Sequence, residues 1–194
     1  MIGDAHAPGA TPLDPDEVRG LIPMHIRSQA ELNQWEQANI LDGSAWAIRS
    51  REQAVLSERF VRELHRRMFG NTWRWAGTFR TTGKNIGVDA TQIAVQLREL
   101  LENVRYWIEH QTFPLDEIAV RFHHRLVVIH PFPNGNGRHA RLMIDVLLRR
   151  YGAKAFSWGG SNLETAGGAR DRYLTALRAA DTGDFAELLA FVRT

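Results

Sequence analysis

The chain has 194 residues, 44% hydrophobic and 9% aromatic, enough to bury one core, so a single domain is expected rather than several. Its net charge is only +2 under a pI near 9.4, which points to local basic patches and excludes a polycationic surface built to coat nucleic acid. The absence of cysteine excludes disulfides and thiolate metal sites and suits a reducing compartment. Residues 1–4 lack a basic n-region, and no apolar run approaches the ~20 residues of a membrane span. A soluble cytoplasmic protein without direct membrane or nucleic-acid partners is therefore expected.

In chain order, residues 1–13 are small, rich in Pro and Gly and without periodicity, which predicts a flexible arm ahead of one domain over residues 14–194. Asp14-Pro15-Asp16-Glu17 predicts a short helical turn, with proline at its first position and glutamate at its third. Ser28-Gln29-Ala30-Glu31 is a capping box for a helix toward Arg49 with Leu32, Trp35, Ile40 and Trp46 as its apolar residues. Ser57 caps the next, in which Phe60, Leu64 and Met68 recur every four residues before Gly70 ends it.

Residues 73–88 set aromatics and threonines around the polar centre Thr81-Thr82-Gly83-Lys84-Asn85, a pattern that predicts a small β-hairpin. Asp89 and Gln92 then open a long helix carrying Ile93, Leu97, Leu101, Val104 and Ile108. After Pro114, Ile118, Phe122, Leu126 and Ile129 mark a helix that must end near His130, because Pro131 disfavours the α conformation in the residue before it. Leu142, Ile144, Val146, Leu147 and Leu148 predict a helix buried on most sides, from about 137 to 152. Tyr173, Leu174 and Leu177, then Asp184 ahead of residues 185–192, predict two closing helices. The expected fold is all-α with one small hairpin.

The loop between the two central helices reads His130-Pro131-Phe132-Pro133-Asn134-Gly135-Asn136-Gly137-Arg138-His139-Ala140-Arg141. Gly135 and Gly137 let backbone N–H groups converge on an anion at the positive end of the following helix. Arg138 and Arg141, three apart, share a face on which guanidinium forks can clamp separate oxygens of a diphosphate. His130, with an ordinary pKa near 6.5, can take the proton of an incoming hydroxyl. A base, an oxyanion cradle and two cations fit phosphoryl or nucleotidyl transfer. The run His123-His124 with His130 is no metal set, since His123 and His130 lie about 10 Å apart along a helix. Arg66-Arg67 and Arg149-Arg150 read as charges complementing helix C-termini.

This run resembles the signature of Fic-domain proteins, His-Pro-Phe-x-Asp/Glu-Gly-Asn-Gly-Arg-x-x-Arg, and the resemblance extends over about residues 56–191, including Trp75-Ala76-Gly77. The stretches around Trp35-Glu36-Gln37 and residues 78–88 are similar more narrowly to the mobile mystery protein B branch. The resemblance implies transfer of AMP from ATP to a Ser, Thr or Tyr hydroxyl of a target protein, with Mg²⁺. It makes His130 the base, places Asn134, Gly135, Asn136, Gly137 and Arg138 on the phosphates and Arg141 on the γ-phosphate, and gives Arg138 a share in catalysis. The hairpin, through Thr78, Ile86, Gly87 and Val88, would align the target segment. An antitoxin-like regulator is a further implied partner, and a toxin-like role an implied setting; oligomeric state stays open.

Asn134 departs from the pattern, because a neutral amide is a poorer ligand for a hard dication than the family's carboxylate. Another donor, phosphoryl transfer, or a catalytically weak nucleotide-binding regulatory module therefore stand beside AMP transfer as readings. The family's inhibitory Ser/Thr-x-x-x-Glu-Gly/Asn helix has no match in the chain. Glu36 is either a restraint on Arg141 or an exposed surface residue. Trp158 is the candidate wall of a base or ribose pocket.

Overall fold

A computed structural model of the chain describes residues 11–50, 55–160, 163 and 167–194. Among these residues it holds eight α-helices: α1 (Pro15–Val18), α2 (Gln29–Arg49), α3 (Glu58–Phe69), α4 (Ile93–Glu109), α5 (Leu115–Ile129), α6 (Asn136–Arg150), α7 (Gly168–Asp181) and α8 (Ala186–Val192). Helix α5 and helix α6 form a hairpin at the centre; α4 packs on α5, α3 on α6, α2 on α3, and α7 and α8 close the end. No described helix is long and apolar enough to cross a membrane.

Most helix starts follow from the caps read in the sequence. Ser28 Oγ accepts from the Glu31 N–H while Glu31 reaches back to the Ser28 N–H, and Ser57 Oγ accepts from the Phe60 N–H. Asp89 accepts from the Thr91 N–H, and a single 3₁₀ turn, Ala90–Gln92, leads into α4. Most apolar positions of α5 and α6 are fully buried, including Phe122, Leu126 and Ile129 on one helix and Met143, Ile144 and Leu147 on the other, while Leu115, Val127, Val128 and Leu142 are half-buried. Burial of that kind contributes about 1.5–3 kcal/mol per large side chain.

Two elements differ from expectation. Helix α2 buries Leu32, Glu36, Asn39, Gly43 and Ala47, whereas Trp35 is exposed and Ile40 and Trp46 are half-buried. Its inner face is polar because it meets a polar seam: Asn39 Nδ2 donates to Thr72 Oγ1 at 3.0 Å. Close approach is permitted at Gly43, where a Cβ would come within 3.0 Å of the Met68 backbone.

The expected hairpin is a loop without a strand ladder; the isolated bridge among the described residues joins Leu21 and Trp73. Arg80 takes the ladder's place. Its guanidinium donates to the carbonyls of Thr82, Val88 and His130, and the Arg80 N–H donates to the Pro131 carbonyl. One buried side chain thus closes the loop and ties it to the end of α5, satisfying carbonyls that the helix leaves unpaired.

The expected arm over residues 1–13 lies outside the described residues as far as residue 10. From Thr11 onward the chain is packed: Thr11 is buried, and Lys84 Nζ holds Asp14 at 2.9 Å and Glu17 at 2.5 Å.

Candidate active site

His130 ends α5 in the left-handed conformation, φ 53° and ψ 61°. Pro131 disfavours a continued helix, and Arg80 Nε pins the His130 carbonyl at 2.7 Å. A non-glycine residue held there stores about 1–3 kcal/mol, and the side chain is turned out of the helix into the loop's mouth. His130 Nε2 lies 2.8 Å from Thr11 Oγ1. Nδ1 has no partner in good hydrogen-bond geometry among the described residues, although the Val127 carbonyl lies alongside it and favours protonation. Burial dominates and, helped by the positive charges of Arg80 and Lys84, pushes the imidazole down to about 4. The ring is neutral at pH 7. With its proton on Nδ1, Nε2 is an acceptor aimed at a hydroxyl.

The loop after it is braced from within. Phe132 is fully buried, stacked on His65 at 3.8 Å and edge-on to His139 at 5.1 Å. Asn136 uses both side-chain polar groups on Phe132, accepting from its N–H at 2.9 Å and donating to its carbonyl at 2.8 Å. Its amide therefore braces the loop and leaves only the backbone N–H of Asn136 for a phosphate. His65 accepts from the Gly77 N–H through Nδ1, which leaves Nε2 to donate to the Asn134 carbonyl at 3.0 Å. Burial holds His65 well below the usual histidine range, so this link stays neutral.

Gly135 has φ 76°, and a Cβ there would meet the Phe69 ring at 2.6 Å. The first bond of α6 runs from the His139 N–H to the Gly135 carbonyl at 2.9 Å. The N–H groups of Asn136, Gly137 and Arg138 thus stand at the positive helix end, beside the cavity. Arg138 lies over the Phe69 ring and pairs with Glu36 at 2.6 Å; the other Glu36 oxygen accepts from Trp73 Nε1 at 2.6 Å. The restraint read for Glu36 is therefore real as a contact but falls on Arg138, and Glu36 is buried rather than a surface residue.

These groups share a cavity of about 550 Å³ with Ile86, Gly87 and Val88 of the loop and with Arg141. Thr78 is not part of its lining; its N–H closes a turn onto the Trp75 carbonyl. Trp158 is not in the lining either. Its indole donates to half-buried Asp145, whose carboxyl is pushed up to about 6 by desolvation. The far wall is α7, through Tyr173, Leu174 and Leu177. Their apolar spacing marked a helix in the sequence but nothing local marked it as a pocket wall.

The donor set does not suit a resident magnesium ion. Asn134 Oδ1 already accepts from the Gly135 N–H at 2.7 Å, and its Nδ2 donates to the Thr11 carbonyl at 2.9 Å. Asp181, the one carboxylate in the described lining, pairs with His124 at 2.8 Å. No group of three or more carboxylates and histidines among the described residues stands ready for a cation.

A buried histidine, a helix N-terminus and two arginines thus surround one cavity of a helical domain, a set of groups that can take a phosphate-bearing ligand. Residues 55–148 match the model of the Fic/DOC family, and the chain belongs to that family through this Fic domain. The chain is 31% identical over 150 residues to protein adenylyltransferase fic-1 of Caenorhabditis elegans, covering 75% of this chain and 28% of that protein. It is 30% identical over 137 residues to protein adenylyltransferase Fic of Drosophila virilis, covering 68% and 27%. The chain thus spans just over a quarter of the length of these relatives. Among solved structures, Fic-1 of C. elegans superposes with a TM-score of 0.60 at 25% identity, over 89% of this chain and 50% of that one. BepC of Bartonella tribocorum, solved with bound AMPPNP, gives 0.71 at 16% identity over 93% and 97%, a likeness of fold.

Proposed function

We propose that the domain is a Fic-type nucleotidyltransferase that moves AMP from ATP to a Ser, Thr or Tyr hydroxyl of a protein. The observation that carries this reading is a neutral His130 with Nε2 at 2.8 Å from a threonine hydroxyl, beside the α6 N-terminus. The backbone N–H groups of residues 136–138, with Arg138 and Arg141, would hold the phosphates and offset charge developing on them. His130 would take the hydroxyl proton as the oxygen attacks the α-phosphorus and pyrophosphate departs. Residues 86–88 would lay the acceptor over the histidine, and relatives named adenylyltransferases support ATP as donor.

A second reading, a catalytically weak nucleotide-binding module, draws support from Asn134 and from the hold of Glu36 on Arg138. In either case activity would be controlled from within the chain or by an antitoxin-like partner. The test is incubation of wild type and His130→Ala with α- or γ-labelled ATP, in Mg²⁺ or EDTA, with a cell lysate. His130-dependent α-label on protein is the expected result. Label from the γ-position would mean phosphoryl transfer, and ATP binding without either label would leave the regulatory module.

A further inference from the structure

The chain's own segment from Thr11 to Glu17 lies where an acceptor must lie. Thr11 Oγ1 meets His130 Nε2 at 2.8 Å, and Asn134 Nδ2 donates to the Thr11 carbonyl at 2.9 Å. Asp14 then accepts from Thr82 Oγ1 at 3.0 Å and from Lys84 Nζ at 2.9 Å, and Glu17 accepts from Lys84 at 2.5 Å. The Lys84 side chain is almost completely buried by this contact. These contacts reach from the base to the loop over it, and each is made by a side chain of the opposite wall. Asn134 is the most telling of them. Its amide N–H₂ donates to a carbonyl that the carboxylate of the Fic signature could only repel. The residue that departs from the signature is the one that seats Thr11.

We propose that Thr11 is an intramolecular acceptor, a site at which the domain transfers AMP from ATP to itself. The inference rests on the proposed nucleotidyl transfer and adds the acceptor to it. In the step, Thr11 Oγ1 attacks the α-phosphorus of ATP and a new O–P bond forms. The bond from that phosphorus to the bridging oxygen of pyrophosphate breaks, and its electron pair leaves with pyrophosphate. The hydroxyl proton passes to His130 Nε2. Thr11, the α6 N-terminus and both motif arginines line one cavity, so acceptor and phosphate cradle are already assembled. Burial keeps the imidazole neutral and able to accept that proton. Docking of this kind replaces a bimolecular encounter with an internal one, and an outside target must displace Thr11 to reach the base.

The full chain is incubated with α-labelled ATP in Mg²⁺ or in EDTA, followed by intact-mass analysis and peptide sequencing, alone and with cell lysate. The expected result is one AMP per chain on Thr11, retained in Thr11→Ser. Thr11→Ala should lose it, and His130→Ala should lower its rate ~100-fold or more. The rate should not change on dilution of the protein. Label on another residue of the chain, or none on the chain while lysate proteins are labelled in a His130-dependent way, overturns the Thr11 assignment and leaves nucleotidyl transfer standing. Transfer from wild type to His130→Ala chains at a rate that scales with protein concentration overturns the intramolecular acceptor. No label on any protein overturns both readings.

Discussion

At the scale of single residues, the site depends on what two positions can and cannot do. Asn134 both donates and accepts, to the Thr11 carbonyl and from the Gly135 N–H, which an ionised carboxylate, an acceptor only, cannot do. Asn134→Asp keeps the acceptor and turns the donor into a repelling oxygen, a loss of about 1–3 kcal/mol at a part-buried bond. Labelling of Thr11 should fall about tenfold or more, and transfer to outside proteins should become sensitive to EDTA as a carboxylate ligand returns. Measuring both rates with and without EDTA checks this; an unchanged Thr11 rate would show that Asn134 does not seat the segment. Gly135 is constrained in the opposite way, by what it lacks. Gly135→Ala puts a methyl 2.6 Å from the Phe69 ring at φ 76°. The conformation alone costs about 1–2 kcal/mol, so the thermal midpoint should drop by at least about 2–4 °C. Nucleotide binding should weaken with it, as seen by calorimetry.

At the scale of elements, α2 and the loop of residues 78–88 reach the cradle through single buried side chains. Glu36 connects α2 to α6, bonded to Trp73 through one oxygen and to Arg138 through the other. Glu36→Gln preserves a hydrogen-bonding oxygen for Trp73 and removes the charge that holds Arg138. Nucleotide affinity and transfer rate should rise several-fold while the thermal midpoint falls, since breaking a buried pair leaves an uncompensated charge. Titration with ATP and a melting curve read the two effects separately, and unchanged affinity would remove Glu36 as a restraint. The helices themselves were legible, because caps at Ser28 and Ser57 and apolar spacing along α3 to α6 are local signals. The cradle was legible because His130 to Arg141 is continuous in sequence. The rest is carried by pairs far apart in the chain: Glu36 with Arg138, His65 with Asn134, Thr11 with His130. No periodicity announces such pairs. The hairpin failed for a related reason, since Arg80 supplies from its side chain the bonds that a ladder would make from backbone.

For the whole molecule, the neutral histidines that organise the centre also set its response to acid. Burial pushes His123 down to about 3 and His130 and His139 down to about 4, and holds His65 well below its ordinary value of 6.5. In the unfolded chain all four take up protons as pH falls through about 6.5; in the folded chain they do so only near their depressed values. Between these limits the unfolded state binds more protons, so stability is full above about pH 6.5 and is lost as pH falls toward 4. Asp145 acts the other way. Its folded value of about 6 lies above the ordinary 3.8, so it binds a proton first in the folded state and offsets part of the loss. Each unit of depression is worth about 1.4 kcal/mol against a total stability of about 5–15 kcal/mol. Four histidines against one aspartate should therefore unfold the domain between pH 6 and 4, as followed by circular dichroism. His139→Gln should flatten the fall by about one proton, and Asp145→Asn should steepen it. Transfer activity, with its base neutral down to about pH 4, should disappear on the acid side together with the fold. A loss of activity near pH 6.5 in a still-folded protein would mean that His130 titrates as an exposed imidazole and that its burial in the mouth of the loop is opened during turnover.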